Sequence, residues 1–292
     1  MNKTTLFGLF SGIAAASIWG GMYVVSKVVL DVIPPFSLLT SRLLLGILTL
    51  GVVVALRHQK TKLSQRQFWQ IFGVGVIGYG VSLGFQFTGT KLSTASNGAL
   101  VTSATPAFVL LFAWMLLHEK ITLRRFFALL ISTLGVLAVI DPRTAELSPS
   151  LFWGNLSLLA AALTWALYSV LVRVVTRSTD VLTVSLITFI GGLPLTIPAA
   201  TWEYTSTGIG VITPGVIGGV MFIGIISTAL AMYLWNAAFA TLDAGAASLT
   251  FFAQPVVGTL LGWAFLGEAI TPLFLLGGLL IGVGLVISST EK

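Results

Sequence analysis

The sequence predicts an all-α integral membrane protein with ten transmembrane helices, which form two inverted five-helix repeats. Three observations lead to this fold class: an apolar composition, ten long apolar segments joined by short connectors, and a duplication within the chain. The first two place the chain in lipid, and the third relates its two halves by symmetry.

The composition is typical of a chain that lies in lipid. Of its 292 residues, 56% are hydrophobic and 8% are charged, whereas soluble domains carry about 25% charged residues. There is no cysteine, and the two histidines, His58 and His118, lie at segment ends, so we predict neither a metal site nor another cofactor. The net charge of +6 is concentrated in connectors, which argues against nucleic acid as a partner.

Ten apolar segments are candidates to cross a bilayer, whose core needs about 20 residues of helix. They are residues 6–29, 36–56, 68–90, 95–117, 123–140, 152–173, 181–200, 211–239, 244–266 and 271–288. With the N-terminus inside, eleven of the fifteen basic residues fall on the inner side. Because inner connectors are enriched in Lys and Arg, we predict a multi-pass protein of a bacterial-type inner membrane with both termini cytoplasmic.

The second half of the chain repeats the first. A shift of 149 residues aligns 95–135 with 244–284 and gives twelve identities without a gap, and a shift of 146 aligns the earlier segments. The aligned pairs include Trp19 with Trp165, Pro106 with Pro255, and Glu119 with Glu268. Since each repeat has five segments, an odd number, the second enters the membrane from the opposite side, as in many secondary transporters. We predict a first repeat at 1–141, a linker at 142–150 and a second repeat at 151–292.

Three motifs resemble those of a known family. They are Ser17-Ile18-Trp19-Gly20, then Leu117-His118-Glu119-Lys120-Ile121-Thr122 after Pro106, and Leu266-Gly267-Glu268-Ala269-Ile270-Thr271 after Pro255. Together they resemble the EamA-type transporters of the drug/metabolite transporter superfamily, with His118 standing where the second copy has Gly267. The resemblance implies ten helices in two inverted repeats and the export of amino acids or other small metabolites.

A substrate site is expected near the membrane midplane, between the repeats. The candidates are polar and aromatic residues at that depth, and for each of them close packing in the core is the alternative. The predicted substrate-binding residues are Trp19, Tyr79, Ser82, Gln86, Asn97, Thr105, Trp165, Tyr168, Thr228, Trp235, Thr250 and Gln254. We expect the pair Trp19 and Trp165 to stack on a substrate.

Other residues at segment ends or kinks have different predicted roles. Pro106 and Pro255 lack an amide hydrogen, so we predict bent, gate-forming helices there. Glu119 and Glu268 are predicted to be structural, accepting hydrogen bonds from free amides at the start of the next helix. Arg42 is expected to snorkel or to form an ion pair, and binding of a substrate carboxylate stays open.

The absence of acidic residues from the middle of the segments narrows the function. Central carboxylates commonly serve as proton relays and as counter-ions of cations, so neutral or zwitterionic substrates are favoured. An intramembrane enzyme would need a Ser/His pair, an Asp pair or a metal cluster in the bilayer; the sequence suggests none, and no catalytic residue is predicted. A flippase for a lipid-linked sugar stays an alternative. The expected partners are a small-molecule substrate and the lipid bilayer, and a homodimer stays open.

Overall fold

The computed structural model describes residues 3–56, 63–93, 101–102, 104–140, 151–266 and 272–289, and in these ranges it is helical and contains no strand. We number the helices in chain order. They are α1 (Lys3–Leu30), α2 (Pro35–Leu56), α3 (Gln65–Leu92), α4 (Thr105–Leu117), α5 (Leu123–Ile140), α6 (Phe152–Val175), α7 (Val181–Ser206), α8 (Pro214–Thr241), α9 (Ala244–Leu249), α10 (Ala253–Leu266) and α11 (Pro272–Ser289).

Six of these helices are long and apolar enough to cross a membrane, namely α1, α2, α3, α6, α7 and α8, and shorter apolar helices accompany them. Many large apolar side chains lie on the outside of the bundle, among them Phe10, Leu48 and Leu123. Such a surface suits contact with lipid, where helices satisfy their own backbone hydrogen bonds. The fold is thus that of an all-helical, multi-pass membrane protein, and the number of ten helices stays a prediction.

The helices α3 and α8 are distorted at corresponding positions of the two halves. A π-helical segment covers Val76–Ser82 in α3 and Phe222–Leu230 in α8. A shift of 149 residues carries the first onto 225–231, which overlaps the second. In α8, the hydroxyl of Thr228 donates to the carbonyl of Ile223, five residues back, at 2.7 Å. Because π-helical turns occur frequently at functional sites, both segments mark the region where the halves meet.

The two prolines each lie in the first turn of a new helix. Pro106 follows Thr105, where α4 begins, and Pro255 lies near the start of α10, after a 3-10 turn at Thr250–Phe252. The first turn suits proline because its amides have no intrahelical partner. The segment 244–266, expected as one helix, is therefore interrupted, and the gate role of the prolines stays a prediction.

Helices of one half pack mainly on helices of the other. The main pairs are α1 with α8, α6 with α3, α1 with α10, α6 with α4, α2 with α7, α2 with α8, α7 with α3, and α5 with α11. The corresponding helices of the two repeats are α1 and α6, α2 and α7, α3 and α8, α4 and α10, and α5 and α11. When each helix in these pairs is replaced by its corresponding helix, the same set of pairs results. The largest buried cluster combines Trp19, Leu39, Tyr79, Trp165 and Trp235, so the core of the protein lies between the two halves.

Candidate functional site

A buried cavity lies between the two halves. Its lining residues are Trp19, Met22, Arg42, Ser82, Leu83, Gln86, Thr102, Thr105, Ala161, Ala162, Trp165, Met232, Phe251 and Gln254. The cavity volume is about 40 Å³, which has room for roughly three water molecules.

Half of the twelve predicted substrate-binding residues line this cavity. They are Trp19, Ser82, Gln86, Thr105, Trp165 and Gln254. Two repeat-related pairs are among them, because Trp19 corresponds to Trp165 and Thr105 to Gln254. Asn97 lies outside the described residues. The internal symmetry of the sequence thus identified side chains that face the same space from opposite halves.

Two predicted residues, Tyr79 and Tyr168, lie behind the cavity wall instead. Both are fully buried, and their hydroxyl oxygens are 2.8 Å apart. The hydroxyl of Tyr168 donates to Asn236 Oδ1 at 2.8 Å, so its single hydrogen is used and Tyr79 is the donor to Tyr168. The ring of Tyr168 stacks on Trp165 with centroids 4.7 Å apart. These tyrosines therefore hold the cavity wall in place, and their contact with a substrate stays a prediction.

The other three predicted residues that do not line the cavity are also satisfied within the protein. Trp235 Nε1 donates to the hydroxyl of Ser169 at 3.0 Å, and Thr250 donates to the carbonyl of Ala247 at 2.6 Å. Thr228 accepts a hydrogen bond from Arg42. All three are completely buried, so they support the site from behind.

Trp19 forms an aromatic wall with its counterpart in the other half. Its ring lies 5.8 Å from that of Trp165 in an edge-to-face arrangement, and its Nε1 donates to the carbonyl of Ser227 at 3.0 Å. The following residue, Gly20, lets α1 approach the other half closely, because a Cβ there would lie 2.7 Å from the carbonyl oxygen of Gln254. Close packing of α1 against the other half thus explains why the Ser17-Ile18-Trp19-Gly20 motif has a glycine at its last position.

Arg42 is the site residue that sequence reasoning assigned differently. It is completely buried and lines the cavity, so the expected snorkelling is wrong. Its Nε donates to Thr228 Oγ1 at 2.7 Å, and its guanidinium carbon lies 5.5 Å from the centre of the Phe87 ring. One turn further along α2, Gly46 would place a Cβ 3.0 Å from the Thr228 methyl group, so the absence of a side chain allows this approach.

Two polar atoms of the lining residues lack a hydrogen-bond partner within the part of the chain that the structure describes. They are Trp165 Nε1, a donor, and Gln254 Oε1, an acceptor, and both are buried. Leaving such atoms unsatisfied costs about 1–3 kcal/mol each. A donor and an acceptor that await a partner are what a polar ligand requires.

A smaller cavity continues from the first toward the C-terminal end of α1. It has a volume of about 10 Å³ and shares Met22 and Gln86 with the main cavity. Its further lining residues are Ser26, Leu30, Phe87 and Thr90. The two cavities together therefore extend from Trp19 to Leu30 along α1.

A cluster of four charged residues lies on the opposite side of the bundle. Arg125 Nη1 lies 3.3 Å from Glu119 and its Nη2 2.8 Å from Asp243, while Arg173 lies 3.2 Å from Glu119 and 3.1 Å from Asp243. Gly8, near the start of α1, contacts Leu242, so the cluster lies at the N-terminal end of α1. Two of the pairs join the halves, Arg125 with Asp243 and Arg173 with Glu119.

Glu119 accepts from a helix start, as predicted, but from a different helix than the one expected. In the helix that follows Glu119, α5, the amide of Arg125 donates to the hydroxyl of Thr122 at 3.2 Å. Glu119 instead accepts from the amide of Ala244, at the start of α9 in the other half, at 3.2 Å. His118 has a φ of 56°, a left-handed conformation that favours glycine and that turns the chain at the end of α4. Glu268 lies outside the described residues.

A buried polar and aromatic cavity between two sets of membrane-length helices is typical of the solute-transporter class of membrane proteins. The family model for the EamA-like transporter family matches residues 6–140 and again residues 152–290. The chain therefore belongs to the EamA-like transporter family, within the drug/metabolite transporter superfamily, and the resemblance seen in its motifs is confirmed.

The chain is similar to other transporters over nearly its whole length. YoaV of Bacillus subtilis (strain 168), named an uncharacterized transporter, is 23% identical over 292 residues, which cover 95% of this chain and 94% of that protein. An uncharacterized transporter of Archaeoglobus fulgidus is 22% identical over 276 residues, 94% of each. A protein of known crystal structure, 20% identical, superposes with a TM-score of 0.80 over 96% of this chain and 95% of that chain, which shows a shared fold.

Proposed function

We propose that this transporter exports small metabolites, most favourably amino acids, by alternating access between two inverted five-helix repeats. In this proposal ten helices cross a bacterial-type inner membrane, and both termini are cytoplasmic. The observation that carries the proposal is the cavity between the halves, which combines aromatic walls with polar side chains from both. Such a site binds a small polar molecule and excludes water while the surrounding helices move.

Several features support two symmetric halves. The family model matches the chain twice. Each of the main pairs between a helix of the first half and a helix of the second has an equivalent pair between the corresponding helices. In addition, π-helical segments recur at corresponding positions. In transporters with this symmetry, one half rocks against the other around a central site. The same motion serves the inward-open and the outward-open conformations.

The charged cluster suggests how the cytoplasmic side closes. Two of its ion pairs join the halves, and the other two, Arg125 with Glu119 and Arg173 with Asp243, lie within one half each. When the halves separate, the pairs between them break while each half keeps a neutral pair of its own. Opening therefore leaves every charge of the cluster with a partner in its own half.

Transport assays with purified protein in proteoliposomes test the proposal. We expect saturable uptake of one or a few radiolabelled amino acids from a panel of all twenty. Because no acidic residue belongs to the described lining of the cavity, we also expect that an imposed pH gradient does not change the rate. Uptake that requires the gradient would contradict the neutral mechanism. No uptake of any amino acid would favour other metabolites and then the lipid-linked sugar flippase.

A further inference from the structure

The proposed function assigns no role to the charge of Arg42. Among the lining residues that the structure describes, it is the one charged side chain, and none of them is acidic. It is completely buried and lies within an apolar helix of membrane length. Burying an ion is expensive, and ionisable residues inside membrane segments commonly mark the path of a substrate or an ion.

The surroundings of Arg42 hold its guanidinium group in one orientation. The Nε–H bond to Thr228 uses one of its five donors, and the Phe87 ring packs beside the guanidinium carbon. The two terminal nitrogens of Arg42 form a planar fork that matches the two oxygens of a carboxylate. Because Thr228 belongs to the other half, the position of the guanidinium depends on how the halves are arranged.

We propose that Arg42 binds the carboxylate of the transported substrate, so that the substrate class is carboxylic acids, including zwitterionic amino acids. This assignment rests on the proposed function and adds the group that the site recognises. Trp165 Nε1 is a second donor for the carboxylate. Gln254 Oε1 accepts from an ammonium group, and the indole ring of Trp19 offers an apolar surface for a side chain.

Ligand binding to the purified protein tests this without relying on transport. The probes are two matched sets: L-leucine, leucinamide and 4-methylpentanoate, and L-phenylalanine, phenylalaninamide and 3-phenylpropanoate. Each is titrated while the melting temperature of the protein in detergent is measured. The two amides lack a carboxylate, and the two acids lack the amino group. We expect the amino acids and the acids to raise the melting temperature and the amides to leave it unchanged.

Variants of Arg42 connect the effect to this residue. Arg42→Met is expected to weaken binding of the carboxylate probes by roughly thirtyfold or more, since losing one partner of a buried charge pair costs about 2–5 kcal/mol. Arg42→Lys keeps the charge without the fork and should lie between Arg42→Met and the unaltered protein. Lys91→Met, which removes an exposed charge at the end of α3, is the matched control and should bind normally.

The outcomes separate this assignment from the proposed function. If the amides bind as well as the acids, or if Arg42→Met binds the acids normally, the carboxylate site is refuted, and amino-acid uptake by the same variant would leave the transport function in place. If no amino acid is transported but 4-methylpentanoate and 3-phenylpropanoate bind through Arg42, the amino-acid substrate is refuted and the carboxylate site is supported. Should Arg42→Met not fold, the comparison of acids with amides on the unaltered protein decides.

Discussion

Replacing Glu119 with glutamine is expected to favour the conformation that is open to the cytoplasm. In the closed arrangement, Glu119 pairs with Arg125 of its own half and with Arg173 of the other half. Only the second pair breaks on opening, so its loss lowers the cost of opening. Arg125, which then has no partner in its own half, is expected to be hydrated once the cytoplasmic side is open, and hydration replaces the lost pair. Glutamine keeps an oxygen that accepts from the amide of Ala244, so the substitution removes the charge and preserves the start of α9.

The size of this shift follows from the burial of the pair. The side chains of Arg173 and Glu119 are 20% and 14% exposed, and their closest atoms are 3.2 Å apart. Exposed pairs contribute about 0.2–1 kcal/mol, and breaking a fully buried pair costs about 3–5 kcal/mol. A value of about 1–2 kcal/mol lies between these limits and corresponds to a roughly 5- to 30-fold change in the ratio of open to closed protein. Asp243→Asn, at a side chain that is 53% exposed, should change the ratio at most roughly fivefold.

Cysteine accessibility measures this ratio. The chain contains no cysteine, so a single introduced one is labelled without background. Ser248 is buried on α9. In the sequence it lies between Asp243 of the charged cluster and the cavity residues Phe251 and Gln254. In inside-out vesicles, adding Glu119→Gln to Ser248→Cys should raise the rate of labelling by an impermeant maleimide in proportion to the open fraction. Ser26→Cys, labelled from the opposite face, is the control whose rate should not rise. Equal labelling of Ser248→Cys with and without Glu119→Gln would refute the reasoning.

Three further substitutions probe the cavity and its support. Gln254→Ala should reduce transport while leaving the melting temperature nearly unchanged, because its Oε1 has no partner among the described residues; a large loss of stability would instead assign it to packing. Tyr168→Phe should destabilise by about 1–3 kcal/mol and by more than Tyr79→Phe, because Tyr168 both accepts and donates; thermal unfolding that ranks them the other way would contradict this chain of hydrogen bonds. His118→Gly should stabilise by about 1 kcal/mol, since His118 has a left-handed backbone conformation; an unchanged or lower melting temperature would argue against strain at this position.

The internal repeat of the sequence predicted part of the cavity lining. Trp19 and Trp165 line the cavity, as do Thr105 and Gln254. These pairs are visible in the sequence because both repeats keep an aromatic or polar residue at the same depth. Depth along a helix can be counted in residues, so a symmetric pair at the midplane is identified without a structure.

The prediction was less successful where it depended on which face of a helix points inward. Tyr79, Ser82 and Gln86 were assigned to one face of α3 by helical spacing, yet Ser82 and Gln86 line the cavity and Tyr79 lies behind it. The π-helical segment Val76–Ser82 contains the first two of these residues and changes their angular relation. Regular helical spacing therefore does not hold across it.

The sequence by itself determined the membrane class, the family and the repeat, because hydropathy, motifs and periodicity are properties of neighbouring residues in the chain. The tertiary structure decided which residues face the cavity, that Arg42 is buried beside Thr228, and that Glu119 pairs across the halves. These contacts join residues more than 50 positions apart. Helices that are apolar on every side, as membrane helices are, carry too little asymmetry in their sequence to specify such contacts.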